Sequence, residues 1–273
     1  MVTFRNDSKF YTRNSRGKYQ LDVSELRTAF VLSETTAERI RNFRAEHLSN
    51  IIAGIMSTRL DEQAPKIVLH IVPFGAFDPA TQFDVNILYG QRELFEPFAS
   101  PPREFSALFQ RGGALDNRYN FEGLLISRFF PDWTSPTSYT QIFRHGGIEV
   151  VDTAILGRSG DRRSISGTDF EKRLLQALKR YLEAQQKLGV EPPLFVMISL
   201  LGVNGYIIDH YAQNEPSGFI DRADLVVPEV MIDNFDVTLA AVMKPVFDTI
   251  WNAAGWRRSM NYDEDGNSLL TGL

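Results

Sequence analysis

Length, composition and charge already exclude several classes of protein. The chain has 273 residues, 43% of them hydrophobic and 20 of them Phe, so it can fill a core and is not disordered as a whole. Its 29 Lys and Arg residues are outnumbered by 34 Asp and Glu residues, and the net charge of -5 excludes a nucleic-acid-binding surface that covers the whole protein. The absence of cysteine excludes disulfides, thiolate nucleophiles and cysteine-containing zinc sites, and it fits a reducing compartment.

Neither export nor membrane insertion is expected from the hydrophobic pattern. Residues 1–14 alternate charged and aromatic side chains and lack the apolar run of a signal peptide. The longest apolar stretch, residues 194–203, is interrupted by Ser199 and Gly202 and is far shorter than the roughly 20 residues of a membrane-spanning helix. The sequence therefore predicts a cytoplasmic protein without a membrane partner.

The N-terminus begins with a predicted hairpin. Residues 9–13 and 18–21 have the composition of strands, and residues 14–17 between them favour a turn. An isolated hairpin is only marginally stable in water, so these two strands are expected to join a larger sheet.

Two capping boxes predict two helices after the hairpin. In a capping box, two side chains three residues apart each accept a hydrogen bond from the other's backbone N–H. Asp22 and Glu25 have this spacing and predict a short helix, and Thr35 and Glu38 predict a longer one that ends near residue 57. The longer helix carries one stripe of residues spaced three or four apart: Ile40, Phe43, His47, Ile51 and Ile55.

The middle of the chain predicts an antiparallel meander. A polar breaker at residues 61–65 precedes a buried type of strand at residues 66–72. Residues 145–147 (His-Gly-Gly) suit a hairpin turn, whereas residues 77–118 lack periodicity and are interpreted as irregular. The further predicted strands are residues 120–127, 138–144 and 148–155.

The C-terminal part alternates strands with two strong helices. Thr168 and Glu171 form a third predicted capping box, and Gly189 is placed to end the helix that it opens. A last helix over residues 238–254 contains Pro245, which predicts either a kink or a broken start. The remaining predicted strands are residues 194–201, 206–209 and 225–232.

These elements define an α+β fold within the broad α/β class. We expect a largely antiparallel mixed sheet packed by three long helices, with a strand-turn-strand-helix unit at the N-terminus. The expected domain organisation is a hairpin unit, a connecting helix, a main α+β domain and a frayed acidic tail, at residues 1–33, 34–60, 61–258 and 259–273.

Motifs for nucleotide binding, hydrolysis and metal binding are not found in the sequence. The glycine-rich phosphate loops and the Gly-x-Ser-x-Gly nucleophile elbow are absent. The four histidines are widely separated, without a His-x-x-x-His pair, and each is interpreted as a structural residue. No catalytic residue, metal or cofactor is therefore predicted.

A basic segment at the N-terminus is one candidate binding surface. Residues 1–20 hold five Lys or Arg residues against one Asp, and aromatic residues lie between them, a combination that binds phosphates and stacks on bases. The favoured alternative is a strand pair with its aromatic residues packed inward and its charges in solvent. The candidate nucleic-acid-binding residues are Arg5, Lys9, Tyr11, Arg13, Arg16 and Lys18.

A second basic feature lies just before the helix predicted at residue 168. Arg158, Arg162 and Arg163 stand among Ser and Gly residues, and helix N-termini attract anions. These three residues form a candidate anion-binding site, although an ordinary exposed loop is the favoured interpretation.

Several short segments resemble one protein family. Residues 10–15 (FYTRNS) and 22–30 (DVSELRTAF) resemble the closing strand and helix of a Schlafen-type AlbA domain, whose bacterial members are often labelled DNA-binding or ATP-binding. The similarity continues into the region that follows this domain in one bacterial subgroup, at residues 37–44, 119–123, 141–149 and 192–196. Only about the first 30 residues correspond to the AlbA part, so the resemblance implies that the acidic residues of nuclease members have no counterpart here.

The resemblance implies a non-catalytic accessory module of a nucleic-acid-associated protein, in a regulatory or defence setting. The alternative is an interaction or oligomerisation domain whose open N-terminal edge completes an AlbA fold with a partner chain or a second copy. A third expectation is an enzyme with an unrecognised site around residues 158–163.

Overall fold

The computed structural model consists of two compact units, Met1–Phe43 and Arg44–Leu273. The structure describes residues 11–14, 17–20, 22–91, 94, 114–129, 136–156, 158–159, 162–210 and 218–272.

The first unit contains the predicted hairpin and most of a long helix. Strand β1 (Tyr11–Asn14) pairs antiparallel with β2 (Gly17–Gln20), and helix α1 runs over Val23–Ile52. The capping box at its start is confirmed: the Glu25 backbone N–H donates to Asp22 Oδ1 at 2.8 Å, and the Asp22 N–H donates to Glu25 Oε2 at 2.9 Å.

The second predicted capping box is wrong, because α1 continues through Thr35 and Glu38 without interruption. A Thr-x-x-Glu spacing caps a helix only where the preceding backbone is non-helical, and strong helix formers surround it here. The helix ends at Ile52, and Gly54 follows with a left-handed φ of 73°. Ile55 consequently lies outside the helix and is 70% exposed rather than part of the apolar stripe.

An eight-stranded sheet forms the centre of the second unit. The strands are β3 (Lys66–Pro73), β4 (Ala114–Tyr119), β5 (Gly123–Phe129), β6 (Ser138–Phe143), β7 (Ile148–Asp152), β10 (Leu194–Leu201), β12 (Asp224–Val226) and β13 (Val230–Ile232). Their order is β12-β10-β3-β7-β6-β5-β4, β13 also pairs with β10, and every described pairing is antiparallel. The predicted meander is therefore confirmed, and β4 adds a strand where an irregular segment was expected.

The two faces of this sheet pack against different helices. Ile67, Leu69 and Ile71 of β3 point into the main core with helices α2 (Gly167–Leu188) and α3 (Leu239–Ala253). Val68, on the opposite face, packs in a smaller cluster with Leu48 and other residues from the end of α1. Strand alternation alone divides β3 in this way.

Three short strands form a second, small sheet. Strand β8 (Arg158–Ser159) pairs antiparallel with β9 (Arg162–Ser166), and β9 pairs parallel with β11 (Ile207–Asp209). The strand predicted at residues 206–209 is confirmed as β11 and lies in this sheet. The predicted 225–232 strand is divided into β12 and β13.

The third predicted capping box is also wrong. Thr168 and Glu171 lie inside α2, which begins at Gly167, and their side chains bond to other parts of the fold. Gly189 does end α2, with a φ of 82° and its N–H directed to the Gln186 carbonyl oxygen at 3.0 Å.

The segment expected to fray begins inside the packed structure. Ser259, Asn261 and Tyr262 are buried, and the Asn261 amide donates to the Gly167 carbonyl oxygen at 3.2 Å. Of the helices in the described part of the chain, none has the length and apolar character needed to cross a membrane.

Candidate functional site

A row of polar side chains crosses the face of the sheet that lies under the end of α1. Residues of one strand alternate between the two faces, so His70 shares a face with Val68, and Glu149 shares it with Val151. His70 is directly opposite Glu149 in the β3–β7 pair, and Glu149 is directly opposite Gln141 in the β6–β7 pair. The last turns of α1 place His47 over this row.

Glu149 is the centre of the cluster. His47 Nδ1 lies 2.7 Å and His70 Nε2 lies 2.9 Å from Glu149 Oε2, and the Tyr139 hydroxyl donates to Glu149 Oε1 at 2.8 Å. His70 is 0% exposed and Glu149 is 4% exposed. A buried carboxylate that accepts three hydrogen bonds has its charge compensated locally.

The surroundings lower the pKa of Glu149 and raise that of His47. Burial alone would raise the pKa of Glu149, but the hydrogen bonds from His47 and His70 lower it to about 2. Burial alone would lower the pKa of His47, but its bond to Glu149 and the charges of Glu149, Glu122 and Glu46 raise it above the ordinary value. At neutral pH the carboxylate therefore only accepts, and each of its three partners donates.

His70 differs from His47 because it is fully buried. Burial lowers the pKa of His70, and this effect outweighs the hydrogen bond to Glu149. The nearby charges of His47 and Arg44 lower it further. The surroundings therefore shift the pKa values of the two histidines in opposite directions, upward for His47 and downward for His70.

A structured turn extends the polar row towards solvent. Asn120 Oδ1 accepts hydrogen bonds from the N–H groups of Glu122 and Gly123 at 3.1 and 2.9 Å, and Asn120 Nδ2 donates to Gln141 Oε1 at 2.6 Å. Gly123 has a φ of 153°, and a Cβ added there would lie 2.1 Å from the Ile142 carbonyl oxygen. These contacts fix the turn that carries Phe121 and Glu122 beside the cluster.

An open pocket of about 440 Å³ reaches the cluster, and His47, Tyr139 and Glu149 contribute to its lining. The other residues of the pocket are the polar Asn50, Ser57, Asn120 and Glu122 and the apolar Ile51, Ile55, Met56 and Phe121. The buried His70 does not line the pocket. It could contact an atom bound at the cluster only from the side of Glu149 and His47 that faces away from the pocket.

The cluster has the composition of a cation site. One ligand atom each from His47, His70 and Glu149 lies within 4.8 Å of the other two. A zinc ion with ligands at about 2.0–2.2 Å would hold them roughly 3.3 Å apart, so both contacts to Glu149 would lengthen by about half an ångström. The Tyr139 bond to the other carboxylate oxygen would remain as the outer support that metal ligands usually have.

A second buried carboxylate lies between α2 and α3. Glu171 Oε1 accepts from Trp251 Nε1 and from the Ser259 hydroxyl, both at 2.6 Å, while Oε2 is buried without a hydrogen-bond partner among the described residues. Burial raises the pKa of Glu171 to about 7. The contacts of Glu171 tie the segment at Ser259 to α2.

The hairpin residues selected from the sequence are only partly covered by the structure. Arg5, Lys9 and Arg16 lie outside the described residues. Tyr11 and Arg13 belong to β1, and Lys18 is an exposed residue of β2. The register places Arg13 directly opposite Lys18.

The arginines selected near residue 160 belong to strands rather than to a loop. Arg158 is paired with Arg163 in the β8–β9 register, and Arg162 is paired with Ser159. Arg163 is exposed, and its Nη1 donates to the Asn204 carbonyl oxygen at 3.1 Å. That guanidinium therefore already holds a backbone partner.

The sequence does not predict the cluster at Glu149, because the four histidines are widely separated in it and each is interpreted as a structural residue. The structure brings two of them together, since the rings of His47 and His70 have centroids 5.8 Å apart. A signal was present: His70 and Glu149 interrupt otherwise apolar strand segments, and a buried charge requires a partner.

Fold and site together define an α+β protein with a buried His-Glu-His cluster at the floor of an open pocket. Comparison with protein-family models, curated proteins and solved structures finds no match to this chain.

Proposed function

We propose that the protein binds a divalent transition-metal ion of the zinc type through His47, His70 and Glu149. The observation that carries the proposal is the convergence of one ligand atom from each residue within 4.8 Å, beside an open pocket. Two imidazoles and one carboxylate match the preference of zinc for nitrogen and oxygen ligands.

The burial of His70 and Glu149, with His47 half-buried above them, supports a specific site. Exposed acidic side chains bind cations weakly, whereas here the carboxylate is 4% exposed and is oriented by Tyr139. The proton on His47 and the ion compete for Nδ1, so binding releases about one proton when His47 is charged. His70 changes only its tautomer.

Metal content and the spectrum of bound cobalt test this proposal. The purified protein, dialysed against zinc and then against metal-free buffer, is expected to retain one zinc per chain by elemental analysis. Cobalt in its place is expected to give the visible bands of a tetrahedral centre. Zinc retention should be lost in Glu149→Gln and His70→Ala and kept in His210→Ala, a histidine outside the cluster.

Two results would contradict metal binding. The first is a folded wild-type protein that retains no zinc or cobalt, and the second is equal retention by the wild type and Glu149→Gln. Circular dichroism of each variant separates loss of the site from loss of the fold.

A second candidate function, contact with nucleic acid, is supported by the charge of the N-terminal segment. Residues 1–20 hold five Lys or Arg residues against one Asp, and the backbone register places Arg13 directly opposite Lys18. Three further expectations rest on the sequence alone. They are the accessory role beside an AlbA-type unit, the completion of such a fold by a partner chain or second copy, and the cytoplasmic location.

Gel-shift titration against single-stranded DNA at rising salt tests the second candidate. The double variant Arg13→Ala/Lys18→Ala is expected to weaken binding and to flatten its salt dependence, whereas Arg222→Ala should leave both unchanged. Equal binding by all three proteins excludes the hairpin as the contact.

Sedimentation that shows only a monomer, with no captured AlbA fragment, excludes the completion of the fold by another chain.

A further inference from the structure

We infer that the pocket hydrolyses carboxylic esters with an apolar acyl group, using a metal-bound water that Glu122 deprotonates. This inference rests on the metal binding proposed above. It adds a reaction and a substrate class to that proposal.

The first step of the argument concerns the open position of the metal. Three protein ligands leave at least one coordination position of a zinc ion for water, and hydrolytic zinc sites with two histidines and one glutamate have this composition. His47 and Glu149 line the pocket, and His70 lies behind them. Water that reached such an ion would come from the pocket, past His47 and Glu149.

The second step concerns a carboxylate that is not needed as a ligand. Glu122 lines the same pocket, and its charge acts on both His47 and Tyr139. The turn that carries it is fixed by Asn120 and by the bond from the Arg144 N–H to the Glu122 carbonyl oxygen at 2.9 Å. A positioned carboxylate beside a metal-bound water has the chemistry of a general base.

The reaction balances without a further reagent. The water oxygen forms a bond to the ester carbonyl carbon, and its proton passes to Glu122. The bond between that carbon and the alkoxy oxygen then breaks, and the leaving oxygen takes the proton from Glu122. The products are a carboxylic acid and an alcohol, and Glu122 returns to its ionised form.

The third step concerns the substrate. Phe121 is 97% exposed and Ile55 is 70% exposed, and together with Met56 they form an apolar side of the pocket. An acyl chain would cover this surface and remove it from water. The described lining contains no Lys or Arg and does contain Glu122, so phosphate esters are disfavoured.

Hydrolysis of p-nitrophenyl butyrate by the zinc-loaded protein tests the inference. Glu122→Gln is expected to lower kcat by about 100-fold or more while one zinc per chain remains bound. Phe121→Ala is expected to raise KM about tenfold for the butyrate ester and less for the acetate ester. Glu183→Gln, an exposed carboxylate on α2, serves as the matched control and should equal the wild type.

The outcomes separate the two proposals. Zinc binding with no hydrolysis above that of zinc-loaded Glu122→Gln overturns the hydrolytic role and leaves metal binding intact. Failure to bind zinc overturns metal binding and the hydrolytic role with it. Faster hydrolysis of p-nitrophenyl phosphate than of the butyrate ester overturns the assigned substrate class.

Discussion

His70 and Glu149 are direct cross-strand neighbours in the β3–β7 pair, and His70 Nε2 lies 2.9 Å from Glu149 Oε2. The pairing register itself therefore assembles two of the three members of the cluster of His47, His70 and Glu149. Helix α1 needs to supply only His47 to complete it.

Removal of the Glu149 charge should destabilise the fold. The groups that contact Glu149 all donate hydrogen bonds to it. The side-chain amide of Glu149→Gln has one oxygen that accepts and one NH₂ group that only donates, so at least one buried donor loses its partner. We expect the free energy of unfolding to fall by about 2 kcal/mol or more, measured by urea denaturation at pH 7. Glu183→Gln should change it by less than about 0.5 kcal/mol, and an equal loss in both variants would contradict the central role of Glu149.

His47 should titrate at a higher pH than His70 and His145. We expect NMR titration to give His47 a pKa above its usual range, because Glu149 compensates the burial of its ring. Burial should hold His145 at a pKa of about 4 and keep His70 below its usual range. In Glu149→Gln the His47 value should fall, and an unchanged value would exclude Glu149 as its cause.

Glu171 should make the protein less stable as pH rises. The pKa of Glu171, about 7 in the folded protein, lies above its unfolded value of 4.5. The protonated side chain therefore contributes its full stabilisation of the fold below about pH 4.5, and this contribution is lost as the pH rises through 7. Glu171→Gln keeps the neutral form at every pH and should be more stable than wild type at pH 8 by about 3 kcal/mol. Thermal or urea unfolding at pH 5 and pH 8 checks this, and a variant advantage that does not grow between them would contradict it.

Zinc affinity should rise with pH. His47 must lose its proton before its Nδ1 can bind the ion, and Glu149, Glu122 and Glu46 all favour the protonated form. Below the pKa of His47 we expect about a tenfold gain in affinity per pH unit, with about one proton released per ion. Calorimetry in buffers of different ionisation enthalpy measures that proton. If no proton is released, the ion is bound by residues other than His47.

The turn at Gly123 should tolerate no side chain. A Cβ there would lie 2.1 Å from a backbone oxygen, whereas Gly90, also at positive φ, has nothing within 4 Å. Gly123→Ala should therefore cost at least about 2 kcal/mol of folding free energy, and Gly90→Ala only the backbone strain of about 1 kcal/mol. Equal unfolding midpoints for the two variants would show that the turn relaxes.

Local patterns in the sequence predicted much of the fold. Alternation and turn residues gave the β6–β7 hairpin at His145, and the capping residues Asp22 and Glu25 gave the start of α1. The Thr35 and Glu171 capping boxes failed because the same spacing also occurs inside helices. Only the backbone conformation before the pair distinguishes the two cases.

The candidate site could not be predicted in the same way. His47, His70 and Glu149 come from three elements that are distant in the sequence, and their proximity depends on which strands pair and in which register. Neither is contained in a local pattern. The charged residues within apolar strands did indicate that some partner existed, but they did not identify it.

The pairing of β3 with β10 has a consequence for how the chain acquires its structure. Lys66 is paired with Leu201 and Pro73 with Leu194, so the middle of the sheet joins segments that lie far apart in the sequence. During synthesis, the edge of β3 that pairs with β10 stays unpaired until β10 has left the ribosome. Folding of this unit should accordingly be slow, and chains released before residue 194 should be prone to aggregation.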